Sequence, residues 1–463
     1  MPQLSAAEIA EAMGGRLLQG DPQAVFTGYH FDSRQVQERM LFFALVTPSG
    51  DGHTYLEQVA AKAGAGAVVE RARAPRGLTL PLIEVDDSAA AYWRLAARVR
   101  ERCTSTRFVG LSGSAGKTTT REFAHQILGH RYRSFRSPGN WNNWLGLPFA
   151  LLAMSGDEEV AVFELAMSSP GLGEIDRLAG LLRPDITCLL NVLPVHLEFL
   201  KTMDNVARAK LEINNHLSAD GLALVNGDYE LLRSGTRGLA ARTLYFGRDP
   251  AHNQVVLREV RRENGRCRLF VDLAGSREEL LAPPLTDAQV DNLLAAAAIA
   301  WQVGMSLAEI QTALGRLEPL AGRGRVTEHA GITFVDETYN SNPEAAKKLL
   351  RWAVAQFTGF RAAVLGDMLE LGEGEARFHA EVGEVVAELG FDLLVTVGER
   401  ARLMAEAARA AGMATARVAS FATPEEAAAF LAPRLERGSV VLLKASRGVR
   451  LERALQALLD QGE

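Results

Sequence analysis

The segment Val109-Gly110-Leu111-Ser112-Gly113-Ser114-Ala115-Gly116-Lys117-Thr118-Thr119-Thr120 carries the residue types that phosphate chemistry needs. An apolar strand end leads into a glycine-rich turn, then Lys-Thr-Thr, then a helix-like run from Arg121 to Leu128. Glycines let successive backbone N–H groups curl round phosphate oxygens. Lys117 can reach the β- and γ-phosphates, and the Thr118 hydroxyl can ligate Mg²⁺. The spacing departs from the usual G-x-x-x-x-G-K-[ST], which wants glycine at 111 and meets Leu111. A Gly-Lys-Thr that only turns a loop is the bland alternative. The strand before it and the helix after it argue for a bound nucleoside triphosphate.

Other polar residues end apolar runs, where an open α/β sheet gathers its ligands. Glu164 closes Val160-Ala161-Val162-Phe163 and could hold Mg²⁺ beside Thr118, or sit solvated at a strand end. Asn191 closes a second run and leads to His196, a loop histidine that is either structural or catalytic. Lys210 lies in a helix expected over 204–217, where a lysine is ordinarily a solvated charge. The stretch Pro138-Gly139-Asn140-Trp141-Asn142-Asn143-Trp144-Leu145-Gly146-Leu147-Pro148 is dense in amides and aromatics, suited to ligand binding or to tight turns. Val335-Asp336-Glu337-Thr338-Tyr339-Asn340-Ser341-Asn342-Pro343 again sets polar groups directly after a strand.

The elements that position these residues fall into three segments, 1–84, 85–315 and 316–463. The first alternates short apolar runs (Met40 to Val46, Ala67 to Val69, Leu82 to Val85) with turns, after an amphipathic helix expected near Met1 to Gly14. Asp87 and Ser88 open a helix that runs to Arg102. The second segment alternates strands, among them Val160 to Glu164 and Ile186 to Asn191, with helices such as the Ala-rich run Leu293 to Trp301. The third repeats that rhythm from near Gly322 with Ile332 to Val335, Ala363 to Gly366, Leu393 to Gly398 and Val440 to Lys444. Strand–helix–strand repetition implies α/β domains whose parallel sheets are covered on both faces.

The 463 residues allow several buried cores, and 48% hydrophobic with 23% charged residues is an ordinary globular composition. A net charge of −6 gives no reason to expect nucleic acid. Cys103, Cys188 and Cys267 are far apart and odd in number, as expected of buried thiols in a reducing compartment. No secretion signal and no run of about 18 apolar residues is visible, so a cytoplasmic protein without membrane insertion is expected.

In this order the motifs resemble the Mur ligase family, the ATP-dependent amide-forming enzymes of peptidoglycan precursor synthesis, over nearly the whole chain. The resemblance implies a small α/β UDP-binding domain, a central P-loop-type parallel-sheet ATPase domain and a C-terminal Rossmann-like α/β domain. Gly113, Ser114, Ala115, Gly116, Lys117, Thr118 and Thr119 resemble the family's shortened phosphate loop, which accounts for Leu111. Glu164, His196 and Lys210 fall on the metal-binding glutamate, the metal-binding histidine and the lysine that is carbamylated, implying two Mg²⁺ ions with Thr118 as a further ligand. Asn292 matches the asparagine near the adenine; Arg323 and Asp336 match residues that reach the nucleotide. Lys117, His196 and Lys210 are then the catalytic residues.

Within the family the motifs are most similar to the branch that joins D-alanyl-D-alanine to UDP-N-acetylmuramoyl-tripeptide. Asp32-Ser33-Arg34 looks like its UDP-binding motif, and Gly366-Asp367-Met368-Leu369-Glu370-Leu371-Gly372 with His379 follows as expected. Ser33, Arg34, Asn140, Asn142, Asn143, Asn340, Asn342 and Ser446 are the implied substrate contacts, in an enzyme expected to be a monomer. Two positions depart from the pattern: Thr286-Asp287-Ala288 replaces a Gly-x-His expected before Asn292, and Glu337 replaces an aspartate. Alternatives are the ligase that adds a diamino acid to the UDP-dipeptide, whose Asp-Asn-Pro-Arg motif is absent, and folylpolyglutamate synthase, which should lack Asp32-Ser33-Arg34. A nucleotide-dependent switch is the non-enzyme alternative, and it needs no second metal site.

Overall fold

The computed structural model describes residues 4–47, 50–74, 77–167, 171–195, 197–263, 266–273 and 275–460. They group into two compact units, one of residues 1–255 with 295–309, the other of 256–294 with 310–463. His196 lies outside the described residues.

The first unit opens with the helix Ala6–Met13, where Ser5 and Glu8 form a reciprocal capping box and Gly14 turns the end at φ 68°. Its first sheet has five strands in the spatial order Arg16–Gln19, Leu82–Val85, Gly66–Glu70, Met40–Phe43, Gly28–His30. The helix Ser88–Arg102 starts where the Asp87 side chain accepts from Ala90 N at 2.9 Å. Its apolar face, with Tyr92, Leu95 and Val99, joins the same core as Phe43, Phe108 and Phe163.

The parallel part of the second sheet runs Ser134–Arg136, Val160–Glu164, Arg107–Ser112, Ile186–Leu189, Leu222–Asn226, Arg242–Gly247. The strand that comes first in the chain, Arg107–Ser112, is thus flanked by the third on one side and the fourth on the other. Strand order reverses about this strand, and sheets of this kind bind ligands at the carboxyl end of such a reversal. The phosphate-loop segment begins at that point. All residues of Val160–Glu164 are buried, so the strand carries Glu164 into the protein instead of solvating it.

The second unit contains most of an antiparallel meander, Val255–Glu263, Arg266–Leu273 and Ser276–Ala282. It also contains a six-stranded sheet ordered Arg325–His329, Ile332–Glu337, Val440–Lys444, Arg361–Gly366, Leu393–Val397, Val418–Phe421. Only the first of these strands is antiparallel to its neighbour. Separate apolar clusters cover its two faces, one around Leu350, Val386 and Met404, the other around Val395, Leu431 and Leu443.

Candidate functional site

The phosphate loop is shaped by Gly116, which takes φ 81° immediately before the helix Lys117–Leu128, a conformation that a side chain would strain. As N-cap this glycine offers no capping side chain, the arrangement in which a helix N-terminus can take an anion. Asn191 braces the loop from the neighbouring strand end. Its Oδ1 accepts from Ala115 N at 2.9 Å while its Nδ2 donates to Ala115 O at 3.0 Å. Ser114 is held likewise, its Oγ accepting from Leu193 N at 2.9 Å. Lys117 folds back so that Nζ donates to Gly113 O at 2.7 Å, over the hollow that phosphates would fill.

Glu164 is 3% exposed and is the hub of the site. The Thr118 hydroxyl donates to its Oε2 at 2.8 Å, and Asn142 Nδ2 donates to its Oε1 at 2.8 Å. A hydroxyl and a carboxylate so close beside a phosphate cradle are hard oxygen donors that suit Mg²⁺, which takes one or two protein oxygens and completes its shell with phosphate oxygens and water. Among the described residues no group of three or more His, Cys, Asp or Glu side chains is placed to hold a metal.

Lys210, in the helix Met203–Leu211, is 1% exposed. Burial, then the positive charge of Lys117, push its ammonium down to about 7, against the opposing pull of Glu212 and Glu174. This lysine is not the solvated helix charge that spacing alone suggests. A substantial fraction of its amine is neutral near neutral pH, the form that can add CO₂. Glu212 accepts from Gly173 N at 2.7 Å and Asp176 N at 3.2 Å, fixing the chain end where the helix Glu174–Leu182 begins.

The other sequence candidates have distinct surroundings. Asn143 Oδ1 accepts from Gly146 N at 3.0 Å and Leu145 N at 3.2 Å, shaping the start of Gly146–Leu152, while Asn140 is exposed. The aromatics of that loop pack internally: Trp141 stacks on Phe149 with centroids 4.3 Å apart and meets the edge of Phe31 at 5.4 Å. Ser33 is buried and donates to Gln58 Oε1 at 2.9 Å. Arg34 is exposed, paired in bidentate fashion with Asp32 at 2.9 and 2.8 Å, and that pairing holds the Asp32 carboxyl down to about 2.

In the second unit, Asp336 is buried and accepts from Gly322 N at 2.6 Å and from the Thr338 hydroxyl at 2.7 Å. The Arg323 guanidinium lies 3.8 Å over the Tyr339 ring. Gln289 Nε2 donates to Arg323 O at 2.8 Å, linking this turn to the helix that carries Asn292. Sequence reasoning passes over Gln289, and the only signal is its place in Thr286-Asp287-Ala288-Gln289, where it completes a capping box with Thr286. Asn340 Oδ1 accepts from Ser341 N at 2.8 Å, and Asn342 caps the helix Pro343–Gln356 by accepting from Ala345 N at 2.9 Å. Glu337 reaches the buried Lys444 at 3.2 Å, and Ser446 Oγ accepts from Leu369 N at 2.9 Å. His379 is fully buried, its Nε2 accepting from Met368 N at 3.0 Å and its Nδ1 lying 2.7 Å from Glu375 O.

Comparison with known proteins bears on this geometry. The Mur ligase middle domain matches residues 111–300, and the Mur ligase glutamate ligase domain matches residues 315–447. The UDP-N-acetylmuramoyl-tripeptide–D-alanyl-D-alanine ligase of Bacillus subtilis is 31% identical, over 99% of both chains. Among solved structures, MurF from Acinetobacter baumannii superposes with a TM-score of 0.89 at 28% identity, covering 99% of each chain. MurF ligase from Thermotoga maritima, in complex with ADP, superposes with a TM-score of 0.82 at 29% identity over 94% of this chain and 97% of that one. With a phosphate loop, its carboxylate and a buried lysine in one unit, and relatives matched along their full length, the chain belongs to the Mur ligase family, and within it to the branch of ATP-dependent UDP-N-acetylmuramoyl-tripeptide–D-alanyl-D-alanine ligases.

Proposed function

We propose that the chain joins D-alanyl-D-alanine to UDP-N-acetylmuramoyl-tripeptide, as a cytoplasmic monomer with domains close to 1–84, 85–315 and 316–463. The observation that carries this reading is the buried Lys210, its ammonium pushed down to about 7, in the unit where Thr118 and Glu164 meet at the phosphate loop. A nucleotide switch has no use for it. A ligase that must hold an acceptor carboxylate against a phosphoryl group does.

In the proposed reaction a terminal carboxylate oxygen of the tripeptide attacks the γ-phosphorus of ATP, and ADP leaves. The amine of D-alanyl-D-alanine then attacks the acyl carbon, the amine loses a proton, and phosphate departs as the amide forms. The chain's part is positioning and charge neutralisation. The N–H groups of Gly113 to Thr119 would cradle the phosphates, and Lys117 would turn from Gly113 O to the γ-phosphate. Thr118 and Glu164 would hold one Mg²⁺; His196 and a carbamylated Lys210 would hold a second. These ions supply electrostatic stabilisation of the transferring phosphoryl oxygens.

Asn292, Arg323 and Asp336 would serve the nucleotide. Ser33 and Arg34 would bind the UDP moiety, where Arg34 offers a planar fork to a pyrophosphate. Asn140, Asn142, Asn143, Asn340, Asn342 and Ser446 would line the substrate path. The test is phosphate release from ATP that requires both UDP-tripeptide and D-alanyl-D-alanine. Release with either one alone, or with neither, would overturn the reading.

A further inference from the structure

The largest buried side chain in the phosphate-loop helix, Arg121, has no part in the reaction described above. It is 2% exposed, and its guanidinium touches three elements. Nη2 donates to Glu122 Oε1 at 2.7 Å, Nη1 donates to Gly139 O at 2.7 Å and to Ser137 Oγ at 3.4 Å, and Nη1 lies 3.6 Å from Glu164 Oε2. Ser137 Oγ in turn accepts from Glu164 N at 3.4 Å.

Charge balance explains why an arginine is there. Glu122 is 4% exposed and is neutralised from two sides, by Arg121 and by Arg136, whose Nε is 2.8 Å from its Oε2. Arg121 and Arg136 carry two positive charges against the two negative charges of Glu122 and Glu164, so the four groups balance as a cluster. At 3.6 Å it attracts Oε2 without filling its acceptor site, which stays open to the Thr118 hydroxyl or to a metal ion. A planar fork can contact Glu122, Gly139 O and Glu164 together; a single ammonium cannot.

We propose that Arg121 is a positioning residue for the metal–nucleotide complex: it locks the Glu164 carboxylate and the Ser137–Gly139 backbone to the phosphate-loop helix, so that Thr118 and Glu164 face one cation together. The proposal rests on the reading that Thr118 and Glu164 hold Mg²⁺. Partners that orient a metal-binding side chain ordinarily contribute about 10- to 100-fold in metal affinity.

The test is calorimetric titration of the full-length protein with ADP, with and without Mg²⁺, which reads binding and not turnover. Arg121→Gln should lose at least about tenfold of the Mg²⁺-dependent gain in ADP affinity while binding metal-free ADP as before, and Arg121→Lys should restore part of the loss. In a Glu164→Gln background, Arg121→Gln should then cost nothing further, because the two act through one carboxylate. Should Arg121→Gln fail to fold, Arg121→Met with Glu122→Met removes both buried charges together, a change that interiors tolerate, and should show the same loss.

A folded variant of either kind with the wild-type Mg²⁺ dependence overturns the proposal. So does an equal loss with and without Mg²⁺, which would mark Arg121 as a general brace of the loop. If instead Glu164→Gln alone leaves the Mg²⁺ dependence intact, the metal reading fails first.

Discussion

In the phosphate-loop site, polar side chains reach across elements. Thr118 from a helix and Asn142 from a loop both donate to Glu164 at a strand end, and Asn191 from just beyond another strand holds Ala115. The segment from Asp336 to Asn342 has a similar density of polar residues, but there, while Glu337 reaches Lys444, three others serve mainly backbone N–H groups. Asp336 serves Gly322 N and Thr338, Asn340 serves Ser341 N, and Asn342 serves Ala345 N. The first arrangement makes side-chain contacts that a ligand atom can replace one for one. The second folds a turn and starts a helix. Substitutions in the first should therefore read out in catalysis, and in the second first in stability.

The largest effect tests the catalytic side of that contrast. Lys117→Ala should lower kcat by about 10³-fold, since a cation at the transferring phosphate is lost, with the melting temperature unchanged because Nζ gives up one carbonyl contact. A variant with near-normal phosphate release would remove the loop from the mechanism.

Lys210→Met should cut kcat by about 10²-fold and raise the melting temperature, because a buried amine is replaced by an apolar chain of similar length. Its folded pKa of about 7 lies below that of an unfolded lysine, so between about 7 and 10.5 the unfolded chain binds more protons. The Lys210 contribution to stability must therefore improve as pH rises through that window, and it is least favourable below it. At fixed dissolved ¹³CO₂, a carbamate resonance absent from Lys210→Met should grow steeply as pH passes about 7, not only above 9 as for an ordinary lysine. An unmodified Lys210 under those conditions would break the contrast on its catalytic side.

On the stability side, Asp336→Ala strands the buried Gly322 N–H and the Thr338 hydroxyl. It should cost about 2–3 kcal/mol, or roughly 4–12 °C of melting temperature. Asn342→Ala removes a helix cap and should cost about 1 kcal/mol, whereas Asn342→Asp should restore it. If Asn342→Ala leaves stability alone and raises the KM for D-alanyl-D-alanine, the two loops are more alike than their hydrogen bonds suggest.

The smallest effect concerns Arg34, exposed and paired with Asp32. Arg34→Ala should leave the melting temperature and the KM for ATP unchanged and raise the KM for UDP-tripeptide several-fold, measured by phosphate release.

Much of the fold is legible in the chain because its elements are locally encoded. Asp87 and Ser88 announce the helix that runs to Arg102, and the apolar run ending at Glu164 is a strand with the same bounds in the structure. The helix expected over 204–217 instead ends at Leu211 and tightens into the 3₁₀ turn Glu212–His216. The antiparallel meander escapes the sequence reading: Val255–Glu263 ends in charged residues, and only the alternation of Cys267, Leu269, Val271 and Leu273 hints at a strand.

Glycine spacing, strand ends and their polar residues are short-range properties, so the chain by itself determined the α/β class and the phosphate loop, and offered Glu164 as a carboxylate at a strand end. Burial and cross-element contact sum over residues far apart in sequence, and only the tertiary structure decided those. It placed Lys210 out of water with Lys117 near enough to depress its pKa, turned Asn142 onto Glu164, and set the Arg121 guanidinium among Glu122, Gly139 and Glu164. No local pattern distinguishes these three from a solvated lysine, a loop amide and a surface arginine, because what sets each one apart is the set of distant neighbours around it.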